Sequence, residues 1–267
     1  MQFNLETKIK RVMGLLSGKS VVVAFSGGVD STVAAYLAKL FASKVKLITI
    51  TTKWISTYEK DEALQIARHL ELDHTYLTIE IDNNHIFWKN PSKRCYYCKF
   101  ELFTQLLDYQ EKNHYDIVID GTNASDMTGH RPGLKALQEL GIISPLLEAN
   151  ITKEEVRSIA SHFELPVANK PAMACLASRV PYDMPITLDK LNRIEKGEEI
   201  LRTIIQNNNF RLRDHEHIAR IELDPEDFSL LIQNSRVKII TELKKLGYRF
   251  ITLDLEGYRP STPDMII

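Results

Sequence analysis

A run of apolar residues that stops at two adjacent glycines is the feature that most constrains this chain. Residues 21–25, VVVAF, show no polar alternation, and Ser26, Gly27 and Gly28 follow directly. Such a run is typical of a strand buried on both faces of a parallel sheet. Ligands bind outside the carboxyl ends of strands in open α/β sheets, and glycines let backbone N–H groups approach phosphate oxygens. The turn therefore predicts an anion site, with the positive end of the next helix pointing at the anion.

The spacing within this turn narrows the kind of anion. It matches neither the Walker loop nor the dinucleotide-binding fingerprint, but SGGVDS at residues 26–31 resembles the pyrophosphate loop (PP-loop) of the N-type ATP pyrophosphatases. The resemblance implies cleavage of ATP to AMP and pyrophosphate, usually by adenylation of a substrate oxygen. It assigns the pyrophosphate end of ATP, with Mg²⁺, to Ser26, Gly27, Gly28, Asp30 and Ser31. A plain glycine-containing turn between a strand and a helix is the alternative.

Composition and charge exclude several classes of protein. A hydrophobic content of 44% with 26% charged residues is usual in a soluble globular fold. No apolar run reaches the roughly 18 residues of a membrane span, and the N-terminus does not resemble a secretory signal. We therefore expect a cytoplasmic protein with no membrane partner. The net charge of −1 argues against nucleic acid as the main partner.

Further along the chain, β-forming segments alternate with helical patterns. Segments 45–52, 74–81 and 116–123 read as strands that follow the first one. This rhythm predicts an α/β fold with a doubly wound parallel sheet. Thr152 and Glu155 form a capping box, which predicts the start of another helix.

The rhythm changes after a proline-rich segment. Prolines at 166, 171, 181 and 185 predict a boundary between a PP-loop domain, residues 1–180, and a second domain, residues 181–267. Beyond the boundary we expect a helix over 188–206, two alternating strands at 210–215 and 217–223, and a last strand at 250–255. This order predicts a smaller C-terminal α+β domain.

Three cysteines point to metal or redox chemistry. Cys95 and Cys98 begin a helical pattern, and a C-x-x-C pair is equally a redox pair, half of a zinc site or two packing residues. Cys175 lies in a loop before the predicted boundary. By itself it would be a small buried apolar side chain as readily as a reactive one. Three thiolates together can hold a 4Fe–4S cluster with one iron left open. The combination of the three cysteines therefore favours a reactive role for Cys175 over a packing role.

Six motifs then stand in order along nearly the whole chain: SGGVDS, NPSKRCYYCK, DGTNASD followed by RPG, KPAMACLASRVPY, FRLRDH and LEGYR. Together they resemble the LarE family of ATP-dependent pyridinium-3,5-biscarboxylic acid mononucleotide sulfurtransferases, which help to build the nickel-pincer nucleotide cofactor of lactate racemase. The resemblance implies that ATP and Mg²⁺ adenylate a substrate carboxylate, and that sulfur then passes to the activated carbon. It also implies a sulfide or other sulfur donor and a homo-oligomeric enzyme.

The resemblance gives the cysteines two possible roles. In single-cysteine members, the cysteine that matches Cys175 gives up its own sulfur. Other members have three cysteines and a 4Fe–4S cluster that carries the transferred sulfide. Because this chain has Cys95 and Cys98 as well as Cys175, it resembles the cluster type. All three are then expected to be catalytic residues and cluster ligands.

Polar residues at the end of the fourth predicted strand are candidates for the AMP part of the nucleotide. Gly121, Thr122 and Asn123 end that strand at the same sheet edge as the PP-loop. An ordinary turn between strand and helix explains them equally well.

Charged residues of the second half are candidates for substrate binding. Arg211 and Arg213 alternate on one strand and so face one side, where forked guanidiniums suit a phosphate. A solvated strand face is the alternative, but the matching family positions bind the mononucleotide phosphate. Arg179 is expected to steady an adenylate or carboxylate. Glu199, in a charged helix, is a further candidate, or else part of an exposed face.

The sequence departs from the family pattern in two places, and three other functions are alternatives to the one that the resemblance implies. Asp183 stands where members usually have glycine, and PSTPD follows LEGYR in place of a Gly-Ser ending. The cysteines do not exclude a tRNA thiolation enzyme of the same superfamily, which the neutral charge disfavours. They count against an amide-forming synthetase and against a non-catalytic adenine-nucleotide-binding protein.

Overall fold

A computed structural model divides the chain into two compact units. It describes residues 2–83, 85–127, 132–171, 174–205 and 209–259. The first unit comprises Met1–Ile81 and Lys93–Lys170, and the second comprises Asp82–Ser92 and Pro171–Ile267. No helix among the described residues has the length and apolar character needed to cross a membrane.

The first unit is a parallel sheet, of strand order β3-β2-β1-β4, flanked by helices. Its strands are β1 (Ser20–Ala24), β2 (Lys44–Thr51), β3 (His74–Thr78) and β4 (Ile117–Ile119). Its α-helices are α1 (Gln2–Leu16), α2 (Val29–Phe41), α3 (Thr57–His69), α4 (Arg94–Lys112), α5 (Pro132–Glu139), α6 (Pro145–Glu148) and α7 (Lys153–His162). The predicted α/β fold with a parallel sheet is confirmed.

The sequence explains why these elements form. Val21, Val22 and Val23 of β1 are fully buried, as expected for a central strand covered on both faces. The capping box of α7 is present, because the side chains of Thr152 and Glu155 each accept a hydrogen bond from the other's backbone N–H. The core of this unit lies between the sheet and helices that include α1, α2 and α7.

The second unit is built on a sheet of order β5-β6-β7. β5 (Phe210–His215) and β6 (Ile218–Leu223) are antiparallel, β7 (Phe250–Leu253) is parallel to β6, and α8 (Leu188–Arg202) and α9 (Arg236–Lys245) are its α-helices. Apolar side chains from the strands and both helices form its core. The predicted smaller α+β fold is confirmed. The predicted helix over 188–206 ends at Arg202, and position 206 lies outside the described residues, as does most of the C-terminal tail.

The compact units divide after Lys170, and Asp82–Ser92 joins the second unit. The predicted domain boundary after residue 180 stays a prediction. Hydrogen bonds of the buried Asn90 contribute to this membership. Asn90 Nδ2 donates hydrogen bonds to the carbonyls of Val180, Pro181 and Met184 at 3.3, 2.6 and 3.0 Å. Asp183 N–H donates to the Asn90 carbonyl at 2.9 Å. The separate nucleotide and substrate roles of the two parts stay predictions.

The backbone conformation of Asp183 explains why an aspartate is accepted at this position. Its φ of 64° lies in the left-handed region, where glycine is unstrained and aspartate is among the better tolerated side chains. The backbone at this position is therefore one that glycine adopts without strain and that the aspartate of this chain tolerates.

Candidate active site

The PP-loop joins β1 to α2 and is closed by two serine hydroxyls. Ser31 Oγ donates to the Gly28 carbonyl at 3.2 Å and lies 3.0 Å from Ser26 Oγ. Gly28 N–H donates weakly to Ser26 Oγ at 3.4 Å. These contacts fix the turn at the start of α2, where backbone N–H groups and the helix dipole favour an anion.

Two glycines let this loop lie against its neighbours. Gly27 has a φ of 68°, and a Cβ added there would lie 2.8 Å from Ala63 Cα on α3. A Cβ on Gly121 would lie 2.5 Å from Ser31 N. The end of β4 therefore touches the start of α2 directly, and this close approach requires glycine at position 121 even without a ligand.

Asp30 has partners from two other elements. Asn123 Nδ2 donates to Asp30 Oδ1 at 3.0 Å, and Lys153 Nζ donates to Asp30 Oδ2 at 2.5 Å. On the other side of the loop, Lys170 Nζ donates to the Gly27 carbonyl at 2.9 Å and pairs with Glu62 at 3.0 Å. The first unit thus brings two lysines to the PP-loop.

Sequence reasoning missed both lysines, because their partners lie 123 and 143 residues away along the chain. The signals that could have identified these lysines are their positions in the sequence. Lys153 directly follows the helix-capping Thr152, and Lys170 lies in the KPAMACLASRVPY motif.

The three predicted residues that follow β4, Gly121, Thr122 and Asn123, differ in role. Thr122 Oγ1 donates to the buried carboxylate of Asp120, whose other oxygen accepts from Ser144 Oγ at 2.6 Å. The Thr122 hydroxyl is therefore committed to a structural network. Gly121 and Asn123 are the residues of this trio that contact the PP-loop segment directly.

The cysteines belong to different units. Cys95 and Cys98 lie at the start of α4 in the first unit, and Cys175 precedes a 3-10 turn, Leu176–Arg179, in the second. All three are half-buried and none forms a disulfide. Across the described ranges, no group of three or more His, Cys, Asp or Glu residues is arranged to hold a metal ion. The three-cysteine site stays a prediction.

In the second unit, two arginines anchor the segment that carries Cys175. Arg179 forms two hydrogen bonds to the Glu198 carboxylate, at 2.7 and 3.0 Å, and Nη1 donates to the Ala174 carbonyl at 2.5 Å. Arg213 forms two to the Glu222 carboxylate, at 3.0 and 3.1 Å, and Nη1 donates to the Ser178 carbonyl at 2.8 Å. These buried pairs fix the backbone on both sides of Cys175 to α8 and to the sheet.

Arg211 completes a cationic cluster beside these pairs. It is 3% exposed, and its guanidinium lies 5.1 Å from the centre of the Tyr258 ring. Burial, and then the nearby charge of Arg179, lower the pKa of Arg211. Arg179, Arg211 and Arg213 thus face the carboxylates of Glu198 and Glu222, and within this described cluster positive charge is in excess. Such an excess suits an anion.

The acidic residue that pairs with an arginine in this cluster is Glu198, and the predicted binding role of Glu199 stays a prediction. Glu199 is exposed on α8, whereas Glu198 is 5% exposed and paired with Arg179. A shift of one residue turns a helical side chain by about 100°, since a turn takes about 3.6 residues. The charge pattern of the sequence alone therefore does not show which of the two glutamates faces the arginines.

Comparisons with known proteins cover both units. A family model described as asparagine synthase matches residues 7–85, which contain the PP-loop. Pyridinium-3,5-bisthiocarboxylic acid mononucleotide synthase of Lactiplantibacillus plantarum is 35% identical over 94% of this chain and 91% of its own. An uncharacterized protein of Synechocystis is 37% identical over 89% of each chain. A tRNA-specific 2-thiouridylase of Caldicellulosiruptor saccharolyticus is 28% identical over 57% of this chain and 54% of its own.

The relatives at 35% and 37% identity match 94% and 89% of the chain. The chain therefore belongs to the LarE family, the ATP-dependent sulfurtransferases of the PP-loop superfamily.

Proposed function

We propose that this enzyme adenylates a carboxylate of pyridinium-3,5-biscarboxylic acid mononucleotide and then replaces the activated oxygen with sulfur. The carrying observation is that the Cys175 segment is tied to a buried cluster with excess positive charge. A reactive thiol held beside cations suits an anionic substrate that carries a phosphate and carboxylates. The full-length similarity to a pyridinium-3,5-bisthiocarboxylic acid mononucleotide synthase supports this choice of substrate.

In the first step, a substrate carboxylate oxygen attacks the α-phosphorus of ATP, and the bond to pyrophosphate breaks. The N–H groups of Gly27 and Gly28, the Ser26 and Ser31 hydroxyls and the positive end of α2 would bind the leaving pyrophosphate. Asp30 supplies carboxylate oxygens of the kind that Mg²⁺ prefers. We assign AMP to Gly121, Asn123 and the backbone of Thr122, because they end β4 against this loop.

In the second step, a sulfur nucleophile attacks the acyl carbon, AMP leaves, and a thiocarboxylate remains. We place the substrate phosphate near Arg211, because Arg179 and Arg213 add positive charge beside its guanidinium. Those two arginines then act as positioning residues for Cys175. Among the described residues, no contact of the exposed Glu199 side chain supports a role for it.

The proposal also includes a source for the transferred sulfur. Cys95 and Cys98 are thiols three positions apart at the start of a helix, which fits two ligands of an iron–sulfur cluster. We propose Cys175 as the third ligand. A 4Fe–4S cluster bound by these thiols would supply an iron that carries the sulfide to be transferred. An external sulfide or sulfur donor would restore it.

The test measures pyrophosphate release from ATP and formation of thiocarboxylate by mass spectrometry, with and without the pyridinium dicarboxylate mononucleotide. We expect pyrophosphate only when this acceptor is present. Cys175→Ser should retain acceptor-dependent pyrophosphate release and lose the thiocarboxylate. Absence of pyrophosphate with the acceptor would refute the proposal.

Transfer RNA is the competing acceptor, because 2-thiouridylases are among the relatives. Their similarity covers 57% of this chain, against 94% for the mononucleotide synthase. Pyrophosphate release that depends on tRNA would favour this alternative. The cytoplasmic location and the homo-oligomeric state stay predictions, and native mass spectrometry tests the latter.

A further inference from the structure

The segment that follows β7, Asp254–Arg259, lies beside β6 in the second unit, and we call it the strap. The backbone N–H of Tyr258 donates to the Leu223 carbonyl at 3.1 Å. Gly257, just before it, has a φ of 77°, and a Cβ added there would lie 3.1 Å from the same carbonyl oxygen. This close approach fixes the strap backbone at Tyr258 against the end of β6.

The strap covers Arg211, the residue near which we place the substrate phosphate. Arg211 Nη2 donates to the Tyr258 hydroxyl at 3.4 Å, and Nη1 donates to the Arg259 carbonyl at 3.5 Å. The guanidinium also lies 5.1 Å from the centre of the Tyr258 ring, within the range of a cation–π contact. Because Arg211 is 3% exposed, little of its side chain is open to a ligand while the strap lies there.

A phosphate would bind these N–H groups more strongly than the strap does. The two hydrogen bonds to the strap end on neutral oxygens, and they are longer than the roughly 2.7–2.9 Å of a charge-assisted bond to an anion. Burial, and then the charge of Arg179, lower the pKa of Arg211. An anion beside this guanidinium would offset both effects, because it stabilises the charged form.

The Tyr258 side chain can move while the strap stays bound to β6. It is half-buried, so rotation about its Cα–Cβ bond takes the ring from the guanidinium towards solvent. Arg259, the next residue, pairs with the carboxylates of Asp254 and Glu256 within the strap. These ion pairs hold the end of the strap in place while the ring turns.

We propose that Tyr258 is the gate of the substrate-phosphate site. Its ring covers Arg211 in the free enzyme and turns aside when the phosphomonoester of the substrate binds. Phosphate oxygens then replace the Tyr258 hydroxyl and the Arg259 carbonyl as acceptors for Arg211. This inference rests on the proposed function and adds to it a residue of the LEGYR motif. The gate should act on ligands that carry the phosphate and not on the same pyridinium compound without it.

The experiment measures binding of pyridinium-3,5-biscarboxylic acid mononucleotide, and of its dephosphorylated nucleoside, to the full chain by calorimetry. Tyr258→Ala removes the ring, so no ring–cation contact has to break before the phosphate binds. We expect this variant to bind the mononucleotide about twofold to thirtyfold more tightly than the wild type. Binding of the nucleoside should not change.

Two further variants separate the ring from general effects of a tyrosine substitution. Tyr258→Phe keeps the ring and should stay within about threefold of the wild type, because only one long hydrogen bond is lost. Tyr248→Phe is the matched control, because Tyr248 stacks on another arginine of this unit, Arg193, at 4.5 Å. It should bind both ligands like the wild type.

Unchanged or weaker binding of the mononucleotide by Tyr258→Ala would overturn the gate, as would an equal gain for the nucleoside. A second measurement needs no destabilising variant: fluorotyrosine at position 258 should change its fluorine NMR shift when the mononucleotide binds. No change at saturation would also overturn the gate. Failure of the proposed function has different signs. Arg211→Gln with wild-type affinity would refute the phosphate placement, and a wild type without acceptor-dependent pyrophosphate release would refute the reaction.

Discussion

At the scale of single residues, two adjacent threonines at the end of β2 differ in one hydrogen bond. Thr51 Oγ1 lies 2.9 Å from Thr78 Oγ1. The buried Oγ1 of Thr52 has no hydrogen-bond partner among the residues that the structure describes. A buried hydroxyl without a partner loses its hydration without compensation.

Substitution of these threonines by valine should therefore have opposite effects. Thr52→Val should raise the free energy of unfolding by up to about 1 kcal/mol, whereas Thr51→Val should lower it by about 1 kcal/mol. Urea unfolding followed by circular dichroism measures both, and each variant serves as the other's control. A Thr52→Val protein as destabilised as Thr51→Val would show that the Thr52 hydroxyl is paired.

At the scale of elements, the direct contact between β4 and α2 sets the shape of the PP-loop. Gly121→Ala would place a methyl group 2.5 Å from Ser31 N, so the strand end and the helix start must separate. We expect a loss of about 1–3 kcal/mol in the free energy of unfolding, as for an overpacked core, together with weaker ATP binding. Gly141→Ala is the control, because no atom lies within 4 Å of a Cβ built there, although its φ of 67° also strains alanine. Equal ATP affinity in the two variants would contradict this prediction.

The neighbouring contact between β2 and β3 predicts a dependence of stability on pH. His74 Nε2 lies 2.8 Å from Thr49 Oγ1, which donates to the Phe25 carbonyl just before the PP-loop. Burial, and then the charge of Lys46, lower the pKa of His74 below 6.5. The unfolded state thus binds the proton more tightly, so this contribution to stability is present above pH 6.5 and is lost as the pH falls through the folded pKa.

The free energy of unfolding should therefore decrease on acidification below pH 6.5, and less so in His74→Gln. Urea titrations of both proteins across this range measure the difference, which cancels the contributions of the other histidines. Parallel pH profiles would show that His74 does not contribute.

At the scale of the whole molecule, the three cysteines decide between two modes of sulfur transfer. If they bind a 4Fe–4S cluster, anaerobically purified wild type should be coloured and contain about four irons per chain. Cys95→Ala should lose most of this iron and colour. A colourless wild type in which Cys175 loses the mass of one sulfur after turnover would contradict the cluster mode.

A feature can be predicted from the sequence when the residues that form it lie close together along the chain. The buried strand β1, the PP-loop and the capping box of α7 follow from local patterns, and all three are present. The pairing of Lys153 with Asp30 and the choice of Glu198 over Glu199 depend on contacts between distant elements and on helix phase. Local motifs do not encode these contacts, because packing between distant elements selects the side chains that meet.

The membership of Asp82–Ser92 in the second unit has a consequence for inheritance and engineering. A contiguous gene fragment that ends at Lys170 carries this segment without the carbonyls that Asn90 binds, and a fragment that starts at Pro171 lacks Asn90. Chimeras between relatives should therefore exchange residues 82–92 together with the C-terminal part. Recombination that respects this pairing keeps the hydrogen bonds between Asn90 and the carbonyls of Val180, Pro181 and Met184.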